Sequence, residues 1–174
     1  LKKLIRLKPN YAKAHFSLGV LYMQTGDNQA AMECFKQVLR LKPDDTDARN
    51  NLGILYARAD DNQKATEYFK EALRIKPGDA EAHTNLGRIY GKTGDYQKAI
   101  ECFKEARRVK PDYADAHYGL GLMYEKTGDT QKEIEYFKEA LRLNPDYPSA
   151  HYRIGFAYGK AGDNQKAIEY FKEA

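Results

Sequence analysis

Five of the six prolines, Pro9, Pro43, Pro77, Pro111 and Pro145, lie 34 residues apart. Tyr22, Tyr56, Tyr90, Tyr124 and Tyr158 keep the same interval. So do Gly19, Gly53, Gly87, Gly121 and Gly155, and so do Phe35, Phe69, Phe103, Phe137 and Phe171. Four residue types holding one interval through five repeats do not arise by chance, so the chain is a tandem array of one supersecondary unit. A unit of this size buries its apolar faces only by stacking on its neighbours. The 174 residues are therefore expected to form one continuous stack. Residues 1–11 read as the end of a helix from a preceding repeat, followed by repeats at 12–45, 46–79, 80–113, 114–147 and 148–174, the last one truncated.

Inside a repeat the pattern has the period of a helix twice over. In the fourth repeat a first helix, A, is expected from about Ala114 to Lys126, with Ala116, Leu120, Met123 and Tyr124 on one stripe. Gly128-Asp129 interrupts it, glycine accepting the left-handed conformation that ends a helix and aspartate capping the free amides of the next. A second helix, B, follows from about Thr130 to Leu143 with Ile134, Phe137, Ala140 and Leu141 on one face, and Pro145 stops it. Gly26-Asp27, Gly94-Asp95 and Gly162-Asp163 repeat the turn. The glycine of each Leu-Gly pair, such as Gly121, lets helix B approach helix A, with Phe137 and Ala140 across the contact. The expectation is an all-α chain of ten helices in five antiparallel pairs, preceded by a helical stub ending near Leu7.

Leu86-Gly87, Tyr90, Gly94, Ala99, Phe103, Ala106 and Pro111 reproduce, in one repeat, a pattern that resembles the tetratricopeptide repeat. The resemblance covers essentially the whole chain. It implies a right-handed α-solenoid whose A helices line a concave inner face that takes extended peptides or partner helices.

Some positions break their own register. Asp60 stands where the other repeats have glycine, and aspartate is among the few residues that accept a left-handed conformation. Glu133 replaces the alanine found at Ala31, Ala65, Ala99 and Ala167, and Arg107 replaces Leu39, Leu73 and Leu141. A buried unpaired carboxylate is costly. Either Glu133 pairs with Arg107 between repeats three and four, or both stems lie along apolar surface with their charges in water. His15, His83, His117 and His151 occupy one register, with Arg49 in the second repeat. At one per repeat, these histidines sit too far apart to share a zinc ion, so they are expected to be packing residues.

Composition excludes several functions. Ser17 and Ser149 are the only serines, and no nucleophile, metal or phosphate-loop motif occurs. The expectation is a protein that is no enzyme and uses no cofactor and no metal. Cys34 and Cys102 lie two repeats apart, too far for a disulfide. No stretch has the ~18 apolar residues of a membrane span, and the net charge of +4 alternates in sign with no basic run. Neither a membrane nor a nucleic acid is expected as partner, and the chain is expected in the cytoplasm. Charged residues three to four apart, as among Lys166, Glu169, Lys172 and Glu173, read as a solvated outer face of helix B.

By register with the family, the inner face would present Phe16 and Val20 from the first repeat and Asn50, Asn51, Ile54 and Arg58 from the second. The third adds Asn85, Arg88 and Lys92, the fourth Tyr118, Leu122 and Lys126, and the fifth Tyr152, Arg153, Phe156 and Lys160. Arg58, Lys92, Lys126 and Lys160 form a basic file, and Val20, Ile54, Leu122 and Phe156 an apolar strip interrupted by Arg88. The carboxylate-clamp residues of the subclass that binds chaperone tails are not reproduced. Asn51-Leu52-Gly53 and Asn85-Leu86-Gly87 partly match the repeats of glycosyltransferases that modify Ser and Thr, which hold a peptide backbone with such asparagines. These expectations converge on a protein or peptide partner, an extended and partly acidic segment. Two alternatives are a module that stacks end to end on its own kind and the substrate-recruiting arm of a larger enzyme.

Overall fold

The computed structural model describes residues 10–174, so the expected helical stub lies outside the described residues. These hold ten α-helices and no strand. The A helices are α1 (Ala12–Thr25), α3 (Thr46–Arg58), α5 (Ala80–Lys92), α7 (Ala114–Thr127) and α9 (Pro148–Lys160); the B helices are α2 (Asn28–Leu41), α4 (Asn62–Ile75), α6 (Tyr96–Val109), α8 (Thr130–Leu143) and α10 (Asn164–Lys172). The B helix of the fourth repeat occupies the expected residues. The chain divides into two compact units between Ala82 and His83.

Each A-to-B turn is made by local chemistry. Gly26, Gly94, Gly128 and Gly162 have φ between 81° and 86°, and Asp60 takes φ 64° in the same place, as its position in the register requires. The next aspartate then caps helix B: Asp27, Asp61, Asp95, Asp129 and Asp163 each accept from the backbone N–H three residues on. In four repeats that residue is a lysine whose ammonium returns to the same carboxylate, at 2.6–2.7 Å, and lies 5.0–5.5 Å above the periodic tyrosine of helix A. The periodicity of the sequence does not by itself announce this Asp–Lys–Tyr clasp. The lysine bond holds Asp61, Asp95, Asp129 and Asp163 below the usual carboxylate range.

In the first unit α1 packs on α2, α2 on α3 and α3 on α4. Phe35, Val38, Leu52 and Leu55 are fully buried there. In the second unit α7 packs on α8, α8 on α9 and α9 on α10, and Phe103, Leu120, Met123 and Phe137 are buried. The Leu-Gly glycines permit these pairings. A Cβ on Gly121 would lie 2.6 Å from the ring of Phe137, and one on Gly53 2.6 Å from Phe69. Gly119 does the same for the next contact: its Cβ would lie 2.3 Å from the ring of Phe103, so helix A of the fourth repeat closes on helix B of the third.

The histidine register also has a packing role. His117 is buried, and its Nε2 lies 3.0 Å from the carbonyl of Pro111 in the preceding turn. Arg49 donates to the equivalent carbonyl, that of Pro43, and pairs with Glu71 at 3.2 Å. A long guanidinium thus replaces the imidazole as the tie between helix A and the turn before it. Neither Cys34 nor Cys102 is in a disulfide, and burial pushes the Cys34 thiol up.

The Arg107–Glu133 pair does not form, and Glu133 does not reach water either. Glu133 is 1 % exposed, and its nearest cation is Lys160 of α9, at 4.0 Å. Arg107 donates instead to the hydroxyl of Tyr136 at 3.0 Å. Glu133 faces the following repeat and Arg107 lies against the tyrosine one turn along α8, so the two charges point into different contacts.

Candidate binding surfaces of the A helices

In the first unit the expected surface residues are largely committed to packing. Phe16 sits edge-on to Phe35 with centroids 5.4 Å apart, and Val20 packs on the same core. Ile54 is half-buried and Arg58 exposed. Asn51 Nδ2 donates to the carbonyl of Asp47 at 2.8 Å, so its amide is engaged along its own helix. Asn50 corrects the expectation. It is 6 % exposed and its Nδ2 donates to Asp79 at 3.4 Å, which removes it from any surface a partner meets. Its register alone points outward, but Asp79, which caps α5 through the Ala82 amide, draws it inward.

The second unit presents the aromatic groups. Tyr118 is half-buried, stacked on Tyr147 at 4.7 Å and tilted on Phe137 at 5.3 Å. The Tyr147 hydroxyl donates to Asp115 at 3.1 Å, and burial followed by the nearby Asp115 charge pushes that phenol far above its usual range. Tyr152 is 53 % exposed and Phe156 43 %. Their rings run nearly parallel, 6.5 Å apart, and Tyr152 also meets Phe171 at 5.6 Å. The Lys160 ammonium stands 4.8 Å above Phe156. Tyr118, Tyr152 and Arg153 line a cleft of about 480 Å³ with Pro148, Ser149 and Ala174.

The remaining expected residues divide by partner. Arg153 is held by both oxygens of Glu125 at 2.9 Å, so its charge is spent inside the protein. Arg88, Lys92, Lys126 and Lys160 are exposed. Leu122 is half-buried against the core of α6 and α7. Asn85 is half-buried with a side-chain N–H₂ that has no partner. Sequence reasoning passes over Tyr147. The signal is present, since Tyr11, Tyr113 and Tyr147 share a register with Asp45 and Asp79, the two residues that cap an A helix with a side chain. Where a tyrosine stands there, no side-chain cap forms and, in Tyr147, the ring is free to join the aromatic surface.

Among the described residues no helix is long and apolar enough to cross a membrane, and no group of His, Cys, Asp and Glu is arranged to hold a metal ion. Two tetratricopeptide repeat models match the sequence, one over residues 1–46, 16–80 and 84–148 and the other over 136–169. Among solved structures the chain is similar to MamA, at 30% identity over 89% of this chain and 91% of that one, with a TM-score of 0.78. It is also similar to MamA of Desulfovibrio magneticus RS-1, at 26% identity over 93% and 92% with a TM-score of 0.80. A third likeness is to TTC0263, a thermophilic protein of the same repeat type in Thermus thermophilus, at 25% identity over 94% and 89% with a TM-score of 0.78. No curated protein matches the sequence significantly.

Proposed function

The chain belongs to the tetratricopeptide repeat family, and on that premise we propose that it is a non-catalytic scaffold whose A-helix face binds an extended, partly acidic segment of a partner protein. One observation carries the proposal: Tyr152 and Phe156, two large apolar side chains, are left exposed beside Lys160 on α9. Tyrosine is among the residues most often found as interface hot spots. Lys126 on α7 and Lys92 on α5 extend the positive character that would draw acidic segments in.

Replacing Tyr152 and Phe156 together by Ala is expected to weaken a captured partner by about 2 kcal/mol or more. Lys92→Glu with Lys126→Glu is expected to slow association and flatten its salt dependence, with little change in dissociation. Titration calorimetry and stopped-flow measurements decide the matter, with circular dichroism showing that each variant folds. Normal binding by both variants, combined with loss of binding in Glu169→Ala with Lys172→Ala on α10, would overturn the proposal.

A second reading, self-association, draws support from Ile168 at 56 % and Phe171 at 43 % exposure on α10. Light scattering across a concentration series tests it, and a strict monomer at high concentration refutes it.

A further inference from the structure

Away from the aromatic surface, a cleft of about 520 Å³ opens among α6, α7 and α8. We propose that this cleft is a docking site for one carboxylate, an Asp or Glu side chain of a partner protein. Its centre is Arg107, where the register otherwise has leucine. The guanidinium lies 5.7 Å from the centroid of the Tyr136 ring and donates through Nη1 to the Tyr136 hydroxyl. Arg49, Arg108, Arg142 and Arg153 each have a carboxylate partner. Arg107 has none among the described residues, although it lines a cleft that also holds glutamates. Most of its planar fork of N–H donors is therefore available to a bidentate acceptor.

The surroundings fit the same ligand. Lys138 also lines the cleft, and its ammonium is bonded to the Tyr158 hydroxyl, not to a carboxylate. The Tyr136 hydroxyl accepts from Arg107 and keeps its own proton to donate. The sign and size of the charge select the anion. Arg107, Lys138 and Arg142 stand against Glu135 and Glu139, leaving one net positive charge. A carboxylate cancels it, whereas a phosphate dianion leaves the site net negative. The next repeat serves as an internal contrast. There His151 and Tyr170 line a smaller cleft of about 320 Å³ with Lys172, Glu169 and Glu173. Leu141 holds the Arg107 register, and that cleft is net negative. The change from leucine to arginine supplies one of the two charges by which the clefts differ, and Arg142 supplies the other.

The test uses ¹⁵N side-chain spectra of the whole chain titrated with a blocked pentapeptide bearing one central glutamate, and with its glutamine and phosphoserine counterparts. The glutamate peptide is expected to shift the Arg107 Nε–Hε signal saturably, the glutamine peptide to leave it in place, and the phosphoserine peptide to bind more weakly than glutamate. Arg107→Leu restores the residue of the other repeats, so it is expected to fold normally and to weaken the glutamate peptide about tenfold or more, a loss of about 1.4 kcal/mol. Arg107→Lys, which keeps the charge but not the fork, is expected to retain part of the affinity. The Tyr152→Ala, Phe156→Ala variant is expected to bind the peptide unchanged, which separates this cleft from the A-helix face. The proposal fails if the glutamate peptide produces no saturable shift at Arg107, if glutamine or phosphoserine binds as well as glutamate, or if Arg107→Leu binds normally.

Discussion

Glu133 shows what one residue does inside a repeat that tolerates only alanine elsewhere. Its carboxylate is buried with one oxygen unpartnered, and Lys160 at 4.0 Å is a distant counter-ion. Burial pushes its pKa up, Lys160 opposes that, Glu125 adds to it and Arg153 opposes it. The sign of the pH effect follows. A carboxyl with a raised native pKa favours the protonated folded state, so its contribution is complete at or below the ordinary glutamate pKa. That contribution is lost as pH rises through the raised native value, and it stays lost above. Glu133→Ala, the residue of the other four repeats, is expected to stabilise the protein at neutral pH by about 1–2 kcal/mol. Glu133→Gln is expected to remove the gain that mild acidification gives the wild type. Urea midpoints measured from the usual glutamate range up to neutrality check both, and a destabilised Glu133→Ala would show that the Lys160 pair outweighs the cost of burial. The break in the alanine register is visible in the sequence, but the partner is not. Arg107 and Lys160 are nearly equidistant from Glu133 along the chain, 26 residues before it and 27 after. Only the packing of α8 on α9 decides which charge Glu133 meets.

At the scale of the helix, the boundaries are legible because each is set by residues at fixed offsets: glycine or aspartate with positive φ, an aspartate cap, and a proline after helix B. The Gly121–Phe137 contact is legible for the same reason, since both partners repeat. Gly119 is not, because its register holds Ser17, Asn51, Asn85 and Arg153 in the other repeats and a residue that appears once carries no period. Its need shows only when the ring of Phe103 is found against it. Gly121→Ala is expected to cost about 1–3 kcal/mol through overpacking, since the ring of Phe137 must shift. Gly119→Ala is expected to cost at least as much. Gly78→Ala, with nothing within 4 Å of its Cβ, is expected to stay within about 0.5 kcal/mol of wild type, as surface changes usually do. Denaturant midpoints of the three variants test this ranking, and equal effects at Gly119 and Gly78 would contradict the close approach of α6 and α7.

For the molecule as a whole, the repeat period reveals the architecture but not the partner, because the periodic residues are those that build the stack. Tyr152, Phe156 and Arg107 lie outside the invariant registers, and their roles emerge only from exposure and neighbours. The same division governs stability. In a repeat array the free energy is approximately a sum of repeat and nearest-neighbour terms, so damage is felt mostly where it is made. Phe137 is fully buried in the second unit and touches Gly121 and Tyr118 of α7. Phe137→Ala should therefore cost about 3–5 kcal/mol, the usual range for removing a buried aromatic ring. The loss should fall on the helices that pack around it, α7, α8 and α9. Native-state hydrogen exchange would then show amides of α7, α8 and α9 losing protection by a large factor, while those of α1, α2 and α3, whose core is built around Phe35 and Leu52, keep theirs. A globular domain with one cooperative core would instead lose protection evenly. A uniform loss across both units would mean that the chain unfolds as a single cooperative body and that nearest-neighbour additivity does not describe it.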